Sequence, residues 1–262
     1  MADDSPWFRT ARGTGAVVAT AIHDGSAVRP EALAAMALGQ ADRLREEDPF
    51  TGQAVVGVPN HLVVNRSRFE VDINRSRETA IYKTPEQSWG LKVWKAEPDA
   101  TLCDDGLTIH DAYYSALKAM LDDLARTHSK FVLLDVHSYN HRRGGAGEAP
   151  TPQAEAPDIN IGTFSMPRDE WEWLLDPLIE TMRGFDFAGR RLDVRENVAF
   201  EGKGEQTRFV HATYPGVGCA IAIEFKKIYM DEWTGKPDPA CLAAMRGLID
   251  AVAAHAQQLL DR

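Results

Sequence analysis

Two histidines follow apolar, strand-like segments far apart in the sequence, and together they could hold a metal ion. Residues 16–22 read AVVATAI and are followed by His23, and residues 131–136 read FVLLDV and are followed by His137. In an open α/β sheet, ligands and metals bind in the crevice at the carboxyl ends of the strands. Neutral imidazole suits zinc, and a catalytic zinc ion takes three protein ligands and keeps one position for water. The pattern therefore predicts one metal site containing both histidines, although either histidine alone would fit an ordinary hydrogen-bonded position.

The third ligand is expected from an acidic run that follows the first predicted helix. The residue three positions after His23 is Ser26, so the chain has no H-x-x-E motif there. The nearest acidic cluster is Glu46-Glu47-Asp48. Acidic side chains at a helix C-terminus oppose the helix dipole, which suggests another reason for their presence, such as a cation. We predict that Glu47 or Asp48 completes the site, and the alternative is a solvated helix end.

Glu224 is the candidate proton carrier. It lies near the end of the apolar segment 220–225, which reads AIAIEF. Burial at such a position raises the pKa of a carboxyl group towards the range useful for proton transfer. Glu224 could take a proton from water and pass it to a leaving amine. The alternative is a structural ion pair with Lys226 or Lys227.

The segment 65–77 is rich in arginine and alternates in polarity. It reads NRSRFEVDINRSR and predicts a strand with Phe69, Val71 and Ile73 on one face. The opposite face would carry Arg68, Glu70, Asp72 and Asn74. Arginines in an acidic protein suit bidentate recognition of a carboxylate. The alternative is a surface strand with ordinary ion pairs.

Helical and strand-like segments alternate around these residues. Hydrophobic periodicity predicts helices over 30–44, 111–128, 168–182 and 239–260, and strands over 16–22, 131–136, 191–194 and 220–225. Residues 140–158 and 201–208 are polar and rich in glycine, which predicts two loops, the first overhanging the site. We expect a single α/β domain over residues 1–262, with a mixed, mostly parallel sheet and helices on both faces.

Composition restricts the partners of the chain. Its 262 residues carry 29 basic and 39 acidic side chains, and the net charge of −10 argues against nucleic acid or an anionic membrane as the main partner. A local basic pocket for a small anion remains compatible with that charge. The three cysteines are widely spaced and odd in number, which favours a reducing compartment. The first ten residues lack a signal-peptide pattern and no segment reaches about 18 apolar residues, so we expect a cytoplasmic protein.

Several short segments together carry a family resemblance. His137-Ser138-Tyr139 after a strand, the Asn74-Arg75 pair, Arg68 and Glu224 resemble the zinc carboxypeptidase-type hydrolases. Within that superfamily the chain is most similar to the N-formylglutamate amidohydrolase family. The similar segments run in order from residue 22 to 225 and read IHDG at 22–25, RFEVDINR at 68–75, DVHS at 135–138, PDINIGT at 157–163 and IEF at 223–225.

The resemblance implies a role for each candidate residue. It makes His23 and His137 zinc ligands and Glu224 the general base and acid. It implies that Arg68 binds the developing oxyanion and that Asn74 and Arg75 grip the substrate carboxylate. Ser138 and Tyr139 would line the pocket. The superfamily's peptidases take the third ligand from H-x-x-E, which this chain lacks, so Glu47 or Asp48 would replace it.

Three functions are compatible with this pattern. The first is hydrolysis of the amide bond of a small anionic N-acyl amino acid, such as N-formylglutamate, with one zinc ion as cofactor. The second is a metallocarboxypeptidase for small peptides, which needs the same site and a different pocket. The third is a metal-free binding module on the same fold, which would hold if Glu47 and Asp48 both pointed to solvent.

Overall fold

The computed structural model describes residues 7–262, in which seven strands form one mixed sheet. The strands are β1 (Phe8–Ala11), β2 (Val17–Ala21), β3 (Asn60–Val64), β4 (Phe131–Tyr139), β5 (Ile159–Gly162), β6 (Val194–Glu196) and β7 (Gly218–Lys226). Their order across the sheet is β1-β3-β2-β4-β7-β5-β6. The β1–β3 and β5–β7 pairs are antiparallel and the other four are parallel. The predicted mixed, mostly parallel sheet is confirmed.

Helices cover both faces of the sheet, as predicted. They are α1 (Pro30–Ala35), α2 (Gln40–Glu46), α3 (Thr51–Val55), α4 (Ala100–Thr127), α5 (Arg168–Gly184), α6 (Glu205–Thr213) and α7 (Pro239–Leu260). The apolar sides of α3, α5 and α7 form one core against the sheet, and those of α4 and α6 contribute to a second core on the other face. Within residues 7–262, no helix is both long enough and apolar enough to cross a bilayer. Residues 1–6, which belong to the segment without a signal-peptide pattern, lie outside the described residues.

Strand β4 shows how the sheet directs polar side chains to one face. All nine of its residues are buried, because helices cover it on both sides. Val132, Leu134 and Val136 belong to the core beneath α5 and α7, and Leu133 belongs to the core beneath α4. Because side chains alternate along a strand, Asp135 and His137 lie on the α4 face with Leu133. Polar groups at the carboxyl end of this strand therefore gather on the α4 face.

The predicted helix over 30–44 is wrong in its middle. The chain forms α1 and α2, separated by residues 36–39, with Met36 in an extended conformation. Met36 forms a bridge with Trp94, and the amide of Ala37 donates to the carbonyl of Val93 at 2.8 Å. Hydrogen bonds to a distant segment have replaced helical ones here. Periodicity within the helix cannot reveal such a partner.

The predicted strand within 65–77 is also wrong. This segment is a series of turns, in which the amide of Glu70 donates to the Ser67 carbonyl and the amide of Arg75 to the Asp72 carbonyl. Phe69, Val71 and Ile73 are buried, as alternation predicts, but Glu70 and Asp72 on the supposed polar face are buried too. Buried carboxylates need partners, and this segment supplies them from outside: Arg29 binds Glu70, and His23 binds Asp72.

The bounds of other elements also differ from the predicted ones. Helix α4 begins eleven residues before the predicted start, where the Asp99 side chain accepts from the Leu102 amide at 2.8 Å. The predicted loop over 201–208 gives way to α6 at Glu205, and the strand predicted over 191–194 is β6 at 194–196. Residues 140–158 contain neither helix nor strand, as the composition predicts.

Candidate metal and active site

Three side chains meet at the carboxyl ends of the two central strands β2 and β4. His23 follows β2, His137 lies near the end of β4, and Asp48 follows α2. One ligand atom from each lies within 4.8 Å of the other two, and all three residues are buried. The backbone fixes Asp48 beside His23, because its amide donates to the His23 carbonyl at 2.9 Å. The two histidines predicted from strand ends therefore lie together, with a carboxylate between them.

Each imidazole is oriented by a carboxylate on its far side. His23 Nε2 lies 2.7 Å from Asp72 Oδ1, and His137 Nε2 lies 3.0 Å from Asp135 Oδ1. An Nε2–H donated to these oxygens leaves the Nδ1 lone pair of each ring free for a metal. Both Nδ1 atoms face Asp48 Oδ2, at 3.4 Å from His23 and 3.1 Å from His137. Two nitrogens and one oxygen thus converge on one point.

This donor set fits a zinc ion. His23 Nδ1 is a buried polar atom that lacks a hydrogen-bond partner within residues 7–262. Two imidazole nitrogens and one carboxylate oxygen are ligands that zinc prefers, and three protein ligands leave a position for water. Burial by itself would raise the pKa of Asp48, but the proximity of His137 and His23 holds it far below its usual range. Asp48 is therefore an anion at neutral pH, as a metal ligand must be.

Glu47 is turned away from the cluster. Its buried carboxylate accepts a hydrogen bond from the Ser67 hydroxyl, and burial raises its pKa to about 7. Of the two acids that the sequence offered as third ligand, the structure brings Asp48, and not Glu47, to the histidines. Neighbouring residues after a helix point in different directions, so composition alone could not choose between them.

Glu224 lies beside the cluster on the same face of the sheet. It is the β7 residue directly opposite His137 in the parallel register, and it is half-buried in the wall of the cavity. Burial raises the pKa of Glu224 to about 7, against the lowering effect of His137. The lysines are engaged elsewhere: Lys226 Nζ lies 3.0 Å from Asp158 Oδ1, and Lys227 Nζ donates to the Glu47 carbonyl at 2.7 Å. Glu224 thus remains available for proton transfer.

Arg68 and Arg75 both line the cavity, but they differ in exposure and in how closely they contact Asp72. Arg68 Nη2 donates to Asp72 Oδ2 at 2.9 Å, and its guanidinium lies 4.7 Å from the centre of the Trp89 ring. Arg68 Nε is buried and has no hydrogen-bond partner in the described part of the chain. Arg75 is 43% exposed, and its nearest acid oxygen is Asp72 Oδ2 at 3.9 Å. Both arginines therefore keep donors that an anionic group could occupy.

Asn74, Ser138 and Tyr139 also line the cavity, with side chains that serve partly structural roles. Asn74 Oδ1 accepts from the amide of Gln206 at 3.3 Å, and its Nδ2 lies 3.5 Å from His137 Nε2. Ser138 Oγ donates to Asp48 Oδ1 at 3.1 Å, so it orients a member of the cluster. The Tyr139 hydroxyl donates to the Pro157 carbonyl, which leaves only the tyrosine ring facing the cavity.

Several residues that complete this site were not predicted from the sequence. Asp135 is held by Gln206 Nε2 at 2.6 Å and by Thr20 Oγ1 at 3.2 Å, and the hydroxyl of Tyr113 donates to Gln206. All of these side chains are buried. One signal was present: an acid inside the apolar run 131–136, two residues before His137, shares its face of the strand. Nothing local could have revealed Gln206, which is 71 residues away from Asp135.

The cavity above the cluster has a volume of about 580 Å³. Its walls come from the arginine-rich turns after β3, from Asn140 and Arg143 of the loop after β4, and from residues 197–204. The Asn140 side-chain oxygen is buried and without a hydrogen-bond partner in residues 7–262. The predicted long loop after β4 thus contributes to the rim. This volume is large enough to hold a small organic molecule beside the three-residue cluster.

Comparison with known structures establishes the fold. An N-formylglutamate amidohydrolase from Ralstonia eutropha JMP134 superposes with a TM-score of 0.75 at 16% identity, covering 96% of this chain and 97% of its own. A gene product from Agrobacterium tumefaciens gives 0.69 at 15% identity, covering 98% and 97%. A metallo-carboxypeptidase from Burkholderia cenocepacia gives only 0.41 at 12% identity, covering 94% and 58%, too low a similarity to support an argument.

Sequence comparison addresses the family. Among curated proteins, no sequence matches this chain. The family model described as N-formylglutamate amidohydrolase matches residues 15–230, which include every candidate site residue from His23 to Glu224. That match spans most of the 262 residues, and it agrees with the resemblance carried by the short segments. The chain belongs to the N-formylglutamate amidohydrolase family.

Proposed function

We propose that this protein is a zinc-dependent amidohydrolase that cleaves the amide bond of a small N-acyl amino acid, N-formyl amino acids such as N-formylglutamate included. Family membership supports a hydrolase of amide bonds. The observation that carries the proposal is the convergence of His23, Asp48 and His137 beside Glu224. A metal-ligand set with an adjacent half-buried carboxylate is the equipment that metal-assisted hydrolysis needs.

His23, Asp48 and His137 would hold the zinc ion, and a zinc ion there would polarise the amide carbonyl and acidify water. Glu224 takes the proton from the attacking water and delivers it to the leaving amine nitrogen. A pKa of about 7 suits both directions of that transfer. Arg68 donates its Nε–H to the carbonyl oxygen as negative charge develops on it.

Substrate orientation falls to the arginine-rich turns. Arg75, with an exposed guanidinium, binds the α-carboxylate of the substrate, and the Asn74 amide contributes a further polar contact. Two planar donors on one guanidinium match the two oxygens of a carboxylate. Binding of the carboxylate holds the scissile amide at a constant distance from the metal ligands and Glu224. This positioning lowers the barrier to hydrolysis, because the reacting groups are already oriented.

The proposal includes a small anionic partner and a cytoplasmic location. A net charge of −10 disfavours polyanions, whereas the cavity arginines favour a single small anion. Cys103, Cys219 and Cys241 are all free thiols, which suits a reducing compartment.

The test is metal-dependent hydrolysis by the full-length protein. Protein stripped with a chelator and then reloaded with one equivalent of zinc is assayed for amine release from N-formyl and N-acetyl amino acids and from dipeptides. We expect zinc to restore turnover of the N-acyl amino acids, with dipeptides slower. Faster cleavage of dipeptides would identify a carboxypeptidase instead, and binding without turnover would identify a binding module.

A further inference from the structure

One side of the cavity is apolar and open. Val198 is 39% exposed and Phe200 is 38% exposed, and both line the cavity. Large apolar side chains rarely cluster on a monomer surface without a binding role. We call residues 198–200 the apolar wall. Its presence in a cavity lined mostly by charged and polar residues calls for a ligand with an apolar part.

Asn160 holds the backbone of the apolar wall in place. The Asn160 side chain is buried, and its Oδ1 accepts from the amides of Val198 at 2.8 Å, Ala199 at 2.9 Å and Phe200 at 3.4 Å. Its Nδ2 donates to the Phe200 carbonyl at 2.7 Å. Asn197, which leads into the wall in a left-handed conformation (φ 55°), is held by Thr163. Four hydrogen bonds to this one buried amide fix the backbone of residues 198–200 and leave their side chains on the cavity side.

Most of the cations in the cavity already have close partners. Five positively charged side chains line it, and four are held by partners at close range: Arg68 by Asp72, Arg143 by Glu46 at 3.5 Å, Lys203 by Glu201, and Lys227 by the carbonyls of Arg45 and Glu47. Arg75 makes the loosest contacts of the five, at 3.9 Å from Asp72 and 3.5 Å from the Gln87 carbonyl. Arg75 can therefore bind a carboxylate without giving up a close ion pair, whereas a carboxylate at Arg143 or Lys203 must compete with Glu46 or Glu201. A second carboxylate placed against the apolar wall would lose hydration, and it would have to displace an existing partner to make an ion pair.

We propose that the preferred substrate is an N-acyl amino acid with a single carboxylate and an apolar substituent that packs against Val198 and Phe200. This rests on the amidohydrolase function proposed above and narrows its substrate. Glu224 separates the two binding regions: the arginine turns follow β3, and the apolar wall is anchored to β5 on the far side of β7. The carboxylate and the apolar group thus flank the scissile amide. The apolar group is either the amino acid side chain or the acyl group, and the experiment distinguishes these two sources.

The experiment compares four substrates on the zinc-loaded protein. N-formylphenylalanine carries an apolar side chain, N-phenylacetylglycine carries an apolar acyl group, N-formylglutamate carries a second carboxylate, and N-formylglutamine is its neutral counterpart. We expect kcat/KM for at least one apolar substrate to exceed that for N-formylglutamate by tenfold or more, within the roughly 10- to 200-fold range of apolar pocket contacts. The better of the two apolar substrates identifies which substituent meets the wall.

Two variants of Phe200 make the test specific. Phe200→Ala is expected to lower kcat/KM for the favoured apolar substrate at least tenfold and to leave N-formylglutamate nearly unchanged. Phe200→Arg is expected to improve N-formylglutamate at the expense of the apolar substrate. Trp173→Ala, which removes an exposed aromatic of α5 that does not line the cavity, is the matched control and should change neither. A wild-type preference for N-formylglutamate, or equal effects of Phe200→Ala on all four substrates, would overturn the proposal.

Calorimetry separates this inference from the function on which it rests. Dissociation constants of the four compounds are measured with the inactive Glu224→Gln protein. Tighter binding of an apolar compound that depends on Phe200 supports the inference, even if no compound is hydrolysed and the amidohydrolase proposal fails. Binding of N-formylglutamate as tight as that of both apolar compounds overturns it, even if all four are hydrolysed.

Discussion

His137 and Glu224 lie directly opposite each other on the adjacent parallel strands β4 and β7, and Asn160 lies opposite Glu224 on β5. One row across three strands therefore carries a candidate metal ligand, the candidate base and the support of the apolar wall. Because side chains alternate along strands, a slip of one residue in either pairing would move one of these groups into the opposite core. The apolar residues of β4 and β7 thus protect the geometry of the site by fixing the register.

Glu224→Gln is expected to retain zinc and to bind substrate while losing turnover. The amide keeps the shape of the side chain but cannot accept a proton, so kcat should fall by about two to four orders of magnitude. The fall in rate at acidic pH, where Glu224 becomes protonated, should also disappear from the residual activity. Zinc content is measured beside turnover. Near-normal turnover with zinc bound would show that the base is another group.

His137→Ala is expected to remove both zinc and activity and to preserve the fold. His137 lies at the end of β4, and the loss of one of three ligands leaves too few for a stable zinc site. Elemental analysis after zinc loading and dialysis measures the first effect, and circular dichroism the second. His255→Ala is the control, since His255 bonds Thr181 far from the cluster. Stoichiometric zinc in the His137 variant would contradict the assignment.

Arg75→Met is expected to weaken substrates that carry an α-carboxylate. A lost charge-assisted bond is worth about 2 kcal/mol, or roughly thirtyfold in Kd. Substrates amidated at that carboxylate should be poor for the wild type and little affected by the change. Arg77→Met, which breaks an exposed pair with Asp111, is the control. If the variant treats acid and amide substrates as the wild type does, Arg75 does not bind the carboxylate.

Gln206→Leu is expected to loosen zinc through Asp135. The change removes the donor that lies 2.6 Å from Asp135 Oδ1 and leaves the buried Tyr113 hydroxyl without its acceptor. We expect a loss of about 1–3 kcal/mol in the free energy of unfolding and roughly 10- to 100-fold in zinc affinity. Urea unfolding and competition with a zinc chelator measure the two. Gln53→Leu on the exposed side of α3 should change neither. Unaltered zinc affinity would exclude this support role.

His211 should contribute stability that disappears in acid. The amide of Ala220 donates to His211 Nε2 at 3.0 Å, so the ring proton is on Nδ1 and is donated to Ser165 Oγ. Burial lowers the pKa of His211 from 6.5 to about 4. The neutral form is favoured on folding, so the contribution is complete above pH 6.5 and is lost as the pH falls towards 4.

Urea unfolding of wild type and His211→Gln at pH 7.5 and pH 4.5 measures this contribution. The wild type should lose about 2–3 kcal/mol more than the variant between the two pH values. The difference between the proteins removes the effect of other groups that titrate in this range. An equal loss in both would mean that His211 keeps its ordinary pKa.

The sequence predicted those parts of the site that follow from local pattern. His23, His137 and Glu224 stand at or near the ends of apolar runs, and buried strands of a parallel sheet display such residues at one edge. The sheet type and the helices on both faces follow from the same alternation. The sequence predicted the third ligand only as Glu47 or Asp48. The direction of a side chain after a helix end depends on backbone angles that composition does not determine.

Long-range partners explain the failures. The turns over 65–77 look like a strand because Phe69, Val71 and Ile73 alternate, yet the segment is shaped by ion pairs that its acids make with His23 and Arg29. The break between α1 and α2 follows from bonds to Val93. Gln206 and Asn160 are single polar residues whose roles arise from contacts distant in sequence. Such contacts leave no periodic signal.

Asn160 binds the segment 198–200 through its main chain and takes no part in holding its side chains. Residues 198 and 200 can therefore be exchanged while the segment keeps its path and the candidate metal ligands keep theirs. Substitutions at one or two codons can thus alter this side of the cavity without altering the cluster of His23, Asp48 and His137. This arrangement also marks these two positions as the place to begin when retargeting the enzyme by directed evolution.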